Sequence, residues 1–130
     1  MRTKEDIESY LLQAGLPHEE VSEGMWLVGG PDEPQQLVLK LEPPVLVCRV
    51  NIMDVPAENK EEFYKTLLTL NVADMMHGAY GLEDQKVVIS GALQLENLDF
   101  NEFQASIEDI ALAVVSHHQM LAKFREPAAA

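Results

Sequence analysis

Two alternating apolar runs, separated by a proline pair, constrain the fold of this chain more than any other feature. Leu37, Leu39 and Leu41 share one parity of the first run, with Val38 and Lys40 on the other. In the second run Leu46, Cys48, Val50 and Ile52 share one parity, against Val45, Val47, Arg49 and Asn51. A period of two marks a strand whose faces meet different environments. Between the runs stands Glu42-Pro43-Pro44. Prolines cannot continue a central ladder, so a tight turn belongs there and the runs pair antiparallel. Met25-Trp26-Leu27-Val28, short, apolar and followed by Gly29-Gly30-Pro31, supplies a third strand of a meander.

Helical spacing appears on both sides of these strands. Ile7, Tyr10, Leu11 and Ala14 recur at three and four residues, which predicts a helix over Thr3 to Ala14. Thr3 is its N-cap, Glu5 and Asp6 suit the positive end of the helix dipole, and Gly15 and Pro17 stop it. A second helix is predicted from near Pro56 to near Asn71, with Phe63, Leu67 and Leu70 inward and Tyr64 and Leu68 widening the stripe. Gly78 to Leu82, a turn at Glu83-Asp84-Gln85 and the β-branched run within Lys86 to Leu95 read as a hairpin. A third helix, capped by Asp99 or Asn101, runs to about Phe124 with Phe103, Ile107, Ile110, Val114, His117 and Leu121 as its stripe. The order α-β-β-β-α-β-β-α gives an α+β fold, an antiparallel sheet with helices on one face. One domain is expected over residues 1–126, with Pro127 to Ala130 a frayed tail.

One segment breaks the amphipathic rule. Ile110 to Val115 is apolar all the way round the third helix. Such a helix is either wholly internal or covered on its outer side by something else. A chain of 130 residues has little material to wrap it. The expectation is therefore a homodimer, with Leu112, Val115 and His118 at the contact.

Charge and cysteine usage exclude several classes. Nine Lys and Arg stand against 22 Asp and Glu, a formal net charge of −13. That balance repels phosphate backbones and anionic lipids, so neither nucleic acid nor membrane is an expected partner, whereas basic or neutral partners are favoured. A single cysteine forms no intrachain disulfide. No apolar run approaches the roughly 20 residues of a membrane helix. The start, Met1 to Asp6, lacks the apolar core of a signal peptide, so a reducing cytoplasm is the expected compartment.

No residue pattern speaks for catalysis. His117 and His118 are adjacent on a helix and diverge by about 100°. His18 lies in a Pro17-His18-Glu19-Glu20 loop and His77 precedes Gly78, so no metal site is expected. Cys48, on an apolar strand face without a histidine nearby, reads as a core residue. The chain lacks G-x-S-x-G, a P-loop, C-x-x-C and H-E-x-x-H. A non-enzymatic protein without cofactor is expected. Trp26, the only tryptophan, is either a core anchor or an exposed aromatic on an edge strand open to peptide addition. Candidate partner contacts are Trp26, Leu37, Leu39 and Val47.

Further along, the chain takes on a familiar pattern. Leu67-Leu68-Thr69-Leu70-Asn71 is followed by Gly78-Ala79-Tyr80-Gly81-Leu82, the acidic turn and Val-rich strand Glu83 to Ile89, and then Leu93 to Asp99 leading into a long amphipathic helix. Residues 63 to 124 thus resemble the class I type III secretion chaperones and the YbjN-like proteins. The resemblance implies the element order already given, often in a homodimer, with no enzyme activity and no cofactor. It further implies a chaperone-like module that holds an extended segment of a partner polypeptide. The alternatives are a YbjN-like regulatory or stress-associated protein and, from another class, a small ligand-binding protein with a pocket between sheet and helices. The Glu42-Pro43-Pro44 turn and the His117-His118 pair depart from the family pattern, and no gripping residue transfers from it by motif.

Overall fold

The first helix, α1 (Lys4–Ala14), opens at Thr3 with a reciprocal cap: its side chain accepts from the Asp6 N–H, while the Asp6 carboxylate accepts from the Thr3 N–H. Gly15, at φ 70°, closes it in the left-handed conformation that favours glycine. The computed structural model describes residues 1–29 and 36–125, so Gly30-Pro31 after the second strand and the tail Pro127 to Ala130 lie outside the described residues.

Among the described residues six strands follow the predicted antiparallel pattern, one more than the sequence predicts. They are β1 (His18–Ser22), β2 (Met25–Val28), β3 (Leu37–Glu42), β4 (Val45–Asp54), β5 (Ala79–Glu83) and β6 (Lys86–Gln94). The helices α2 (Lys60–Ala73) and α3 (Phe100–Arg125) complete an α-β-β-β-β-α-β-β-α order. In space the strands lie β1-β2-β3-β4-β6-β5. The additional strand is β1, which replaces the loop expected around His18. It pairs with β2 through the main chain, with an irregularity between Glu20 and Ser22. A polar, bulged edge strand of this kind gives a second chain little to zip onto.

Three predicted ends shift or sharpen. The second helix starts at Lys60, not near Pro56, because Asn59 takes a left-handed φ of 60° immediately before it. For α3 the cap is Asp99, whose carboxylate accepts from the Glu102 N–H at 2.7 Å. Pro43 and Pro44 form the turn between β3 and β4, where Glu42 lies opposite Val45.

The helices pack on one sheet face, and the core lies between. Trp26, Leu39, Leu46 and Ile89 from the sheet meet Ile7, Leu11, Phe63, Phe103 and Ile110 from the helices, all fully buried. Aromatic contacts tie the helices together. Tyr10 packs on Phe103 at 5.4 Å between centroids, and Phe63 meets Phe124 edge-on at 5.0 Å.

Candidate functional site

Register decides which side chains share a face, because directly opposed residues in antiparallel strands point the same way. Trp26 is opposite Leu39, which is opposite Cys48. Leu37 faces Val28 on one side and Val50 on the other. All of these belong to the helix-covered face and are buried. Three of the four expected partner contacts, Trp26, Leu37 and Leu39, are therefore core residues. Of the two readings of Trp26, the buried anchor is the one the structure adopts, at 0% exposure.

Val47 belongs to the opposite face, which no described helix covers. Three lines of side chains cross that face at β3, and two more, Asn51-Val88-Gly81 and Asp54-Lys86-Glu83, cross it beyond. The first runs Glu19, Leu27, Val38, Arg49, Ser90 and Ala79. Met25, Lys40, Val47 and Ala92 form the second. The third holds Glu42, Val45 and Gln94. Met25, Leu27, Val38, Val45 and Val47 are half-buried, yet none joins the core cluster. They form an apolar surface over β2, β3 and β4 that sequence parity alone could not assign to solvent.

Charges on this face are nearly all matched. Lys40 pairs with Glu42 at 2.8 Å, Lys86 with Asp54 at 2.8 Å, and Arg49 with Glu83. The Arg49 pair spans β6, since Arg49 is on β4 and Glu83 on β5. Its diagonal passes over Val88, which is buried although it points to the open side. Arg49 Nε is itself buried without an acceptor among the described residues. The arm thus closes the β6 end of the face and leaves the β2–β4 end open. There Glu19, beside Leu27, carries a carboxylate with no partner among the described residues.

The helical side carries a second set of unpartnered apolar groups. Leu112 and Val115 are 63% and 74% exposed, and His118 is exposed and bonded to Arg125 at 2.7 Å. Ile110 and Ala113 of the same run face the core. On α2, Leu68 and Val72 also stand in solvent, Val72 at 90% exposure. The sequence reading counted Leu68 among the inward residues; four positions short of Val72, it shares that residue's outward side instead.

Polar chemistry elsewhere is structural. His117 is 2% exposed, with Nε2 2.9 Å from Asp74 and Nδ1 2.7 Å from the Tyr80 hydroxyl. A carboxylate accepts, so Nε2–H donates to Asp74, while Nδ1 shares a hydrogen bond with the Tyr80 hydroxyl. Asn71 holds the Tyr80 main chain at both its N–H and its carbonyl. This network fastens the end of α2 and strand β5 to α3. Burial pushes the Cys48 thiol up to about 12, which removes thiolate character, and pushes the Tyr80 phenol up to about 12. Among the described residues no group of three or more His, Cys, Asp or Glu is placed to hold a metal ion. Among the described residues no helix is long and apolar enough to cross a membrane. Crevices of about 560 and 340 Å³ open beside the end of α3 and share Met53, Asp54 and Arg125, while one of about 700 Å³ runs along the outer side of α2.

Residues 1–127 match the CesT_Tir_1 family model. The E. coli YbjN structure superposes with a TM-score of 0.69 at 12% identity, covering 97% of each chain. A chain of the heterodimeric ExoU–SpcU complex from the type III secretion system of Pseudomonas aeruginosa gives 0.67 at 18% identity, over 94% of this chain and 99% of that one. The structure of the Yersinia pestis type III secretion chaperone SycH, in complex with a stable fragment of YscM2, gives 0.60 at 15% identity, over 84% and 93%. At such identities the likeness is one of fold. No curated protein matches the chain.

Proposed function

Because the chain belongs to the CesT/Tir family of type III secretion chaperones, which is non-enzymatic, we propose that it holds a segment of a partner polypeptide on the open sheet face. The observation that carries this is the apolar surface of Leu27, Val38, Val45 and Val47, which no described helix covers. Burying such side chains against a partner contributes about 25 cal/mol per Å² of apolar area removed from water. The fold likeness to chains crystallised with partner proteins supports the same reading. A cytoplasmic location belongs to this proposal, and a free, buried Cys48 suits a reducing compartment.

The test replaces Val38 and Val47 by Thr, which keeps β-branching and strand preference while placing a hydroxyl where an apolar contact is needed. Tagged wild-type and doubly substituted chains are compared for the polypeptide each retains from native lysate. The account expects an unchanged unfolding midpoint and about tenfold weaker retention, as leaving a buried hydroxyl unpaired costs about 1–3 kcal/mol. Equal retention removes the open face as the binding surface. The likeness to YbjN favours a second reading, a folded partner in place of an extended segment, and limited proteolysis of the retained protein separates the two.

A homodimer through the helical side completes the proposal. Leu112, Val115 and His118 on α3, with Leu68 and Val72 on α2, are the surface offered to a second copy. Leu112→Asp with Val115→Asp is expected to leave the fold intact, since both side chains are exposed, and to halve the mass seen in sedimentation equilibrium. A wild-type monomer at the same concentration contradicts it.

A further inference from the structure

The open face does not treat partners of opposite charge alike. Each of its three cations already has a carboxylate: Lys40 with Glu42, Arg49 with Glu83, Lys86 with Asp54. Glu19 is left over, directly beside Leu27 at the open end of the apolar surface. The whole chain adds a net charge of −13. An acidic segment arriving here meets a repulsive field, and Lys40, Arg49 and Lys86, the cations on this face among the described residues, are already matched. A basic segment is attracted at long range and finds Glu19 free at short range.

We propose that the open face selects apolar polypeptide segments flanked by lysine or arginine, with Glu19 as the carboxylate that fixes one end of the segment. This deepens the reading of the open face as a partner surface and rests on it. The apolar side chains of the segment cover Leu27, Val38 and Val47, and its basic flank lies over β1. The Arg49–Glu83 arm, closing the β6 end, sets the other limit of the track.

Two synthetic peptides with the same core of alternating leucine and serine, one ended by lysines and the other by glutamates, test this by fluorescence anisotropy against the full chain. The lysine peptide is expected to bind about tenfold tighter at low salt, with the difference vanishing when salt shortens the screening length to a few ångströms. Glu19→Lys is expected to erase most of that preference without changing the unfolding midpoint, since Glu19 is exposed. Equal affinity for the two peptides, binding of neither, or an unaltered preference in Glu19→Lys overturns the inference. The underlying reading fails separately, when Val38→Thr with Val47→Thr changes the binding of neither peptide. A wild-type dimer that this double substitution dissociates gives the face to a second copy and also overturns the inference.

Discussion

Trp26→Ala is expected to remove about 3–5 kcal/mol of folding stability, the loss typical of deleting a fully buried large aromatic. Trp26 is completely buried on β2, opposite Leu39 and under the helices. Its indole N–H has no acceptor among the described residues. Trp26→Phe therefore breaks no hydrogen bond and keeps a ring in the site, so its loss is expected to be clearly smaller. Urea unfolding followed by far-ultraviolet circular dichroism measures both, which matters because Trp26 is the only tryptophan. An unchanged midpoint for Trp26→Ala, together with lost partner binding, returns Trp26 to the surface and contradicts the assignment of the core.

Gly91→Ala is the second large effect. A Cβ at this position lies 2.5 Å from the His77 carbonyl oxygen and 3.3 Å from Gly78 Cα, both main-chain atoms that cannot rotate away. Gly91 sits on β6 opposite Cys48, so the His77-Gly78 segment crosses close over the covered face of the sheet. Forcing a methyl group into that gap costs about 1–3 kcal/mol, and occasionally more. A shift of His77 that relieves the contact also disturbs its bond to Asp109, at 3.0 Å. Gly81→Ala is the control: its Cβ meets nothing within 4 Å, and the substitution is expected to be neutral or stabilising by up to about 1 kcal/mol. Thermal or urea midpoints of the two variants check the contrast. Equal midpoints for them remove the close crossing of His77 from the account.

What the sequence reveals of this fold depends on how local each signal is. Thr3, Asp6 and Gly15 act within one helix turn, and the predicted caps of α1 are those observed. The turn at Pro43-Pro44 is equally local. Strand β1 escapes because His18-Glu19-Glu20-Val21-Ser22 has no apolar alternation; its main-chain pairing to β2 holds it in the sheet. Asn59 delays α2 through one left-handed residue that composition does not announce.

The candidate site is harder for a different reason. Parity separates Leu37 and Leu39 from Val38 in one strand, and Leu46 from Val47 in another, but does not say which parity the helices cover. Nor does it give the register that puts Trp26 opposite Leu39. Three of four expected contacts consequently fell on the covered side, while Val47, chosen from the other parity, lies on the open one. The exposure of Leu112 and Val115 follows from a run that is apolar all round a helix with only one face on the core. That of Leu68 and Val72 does not follow in this way, since the stripe of α2 is wide enough to rotate either way.

Position 47 offers the most direct measurement of the central claim. A photo-crosslinking amino acid placed there, and separately at position 112, is irradiated in cells, and the adducts are mapped by mass spectrometry. The account predicts that position 47 captures one continuous segment of another polypeptide, whereas position 112 captures a second copy of this chain. Adducts to a partner polypeptide from position 112 and none from position 47 contradict it.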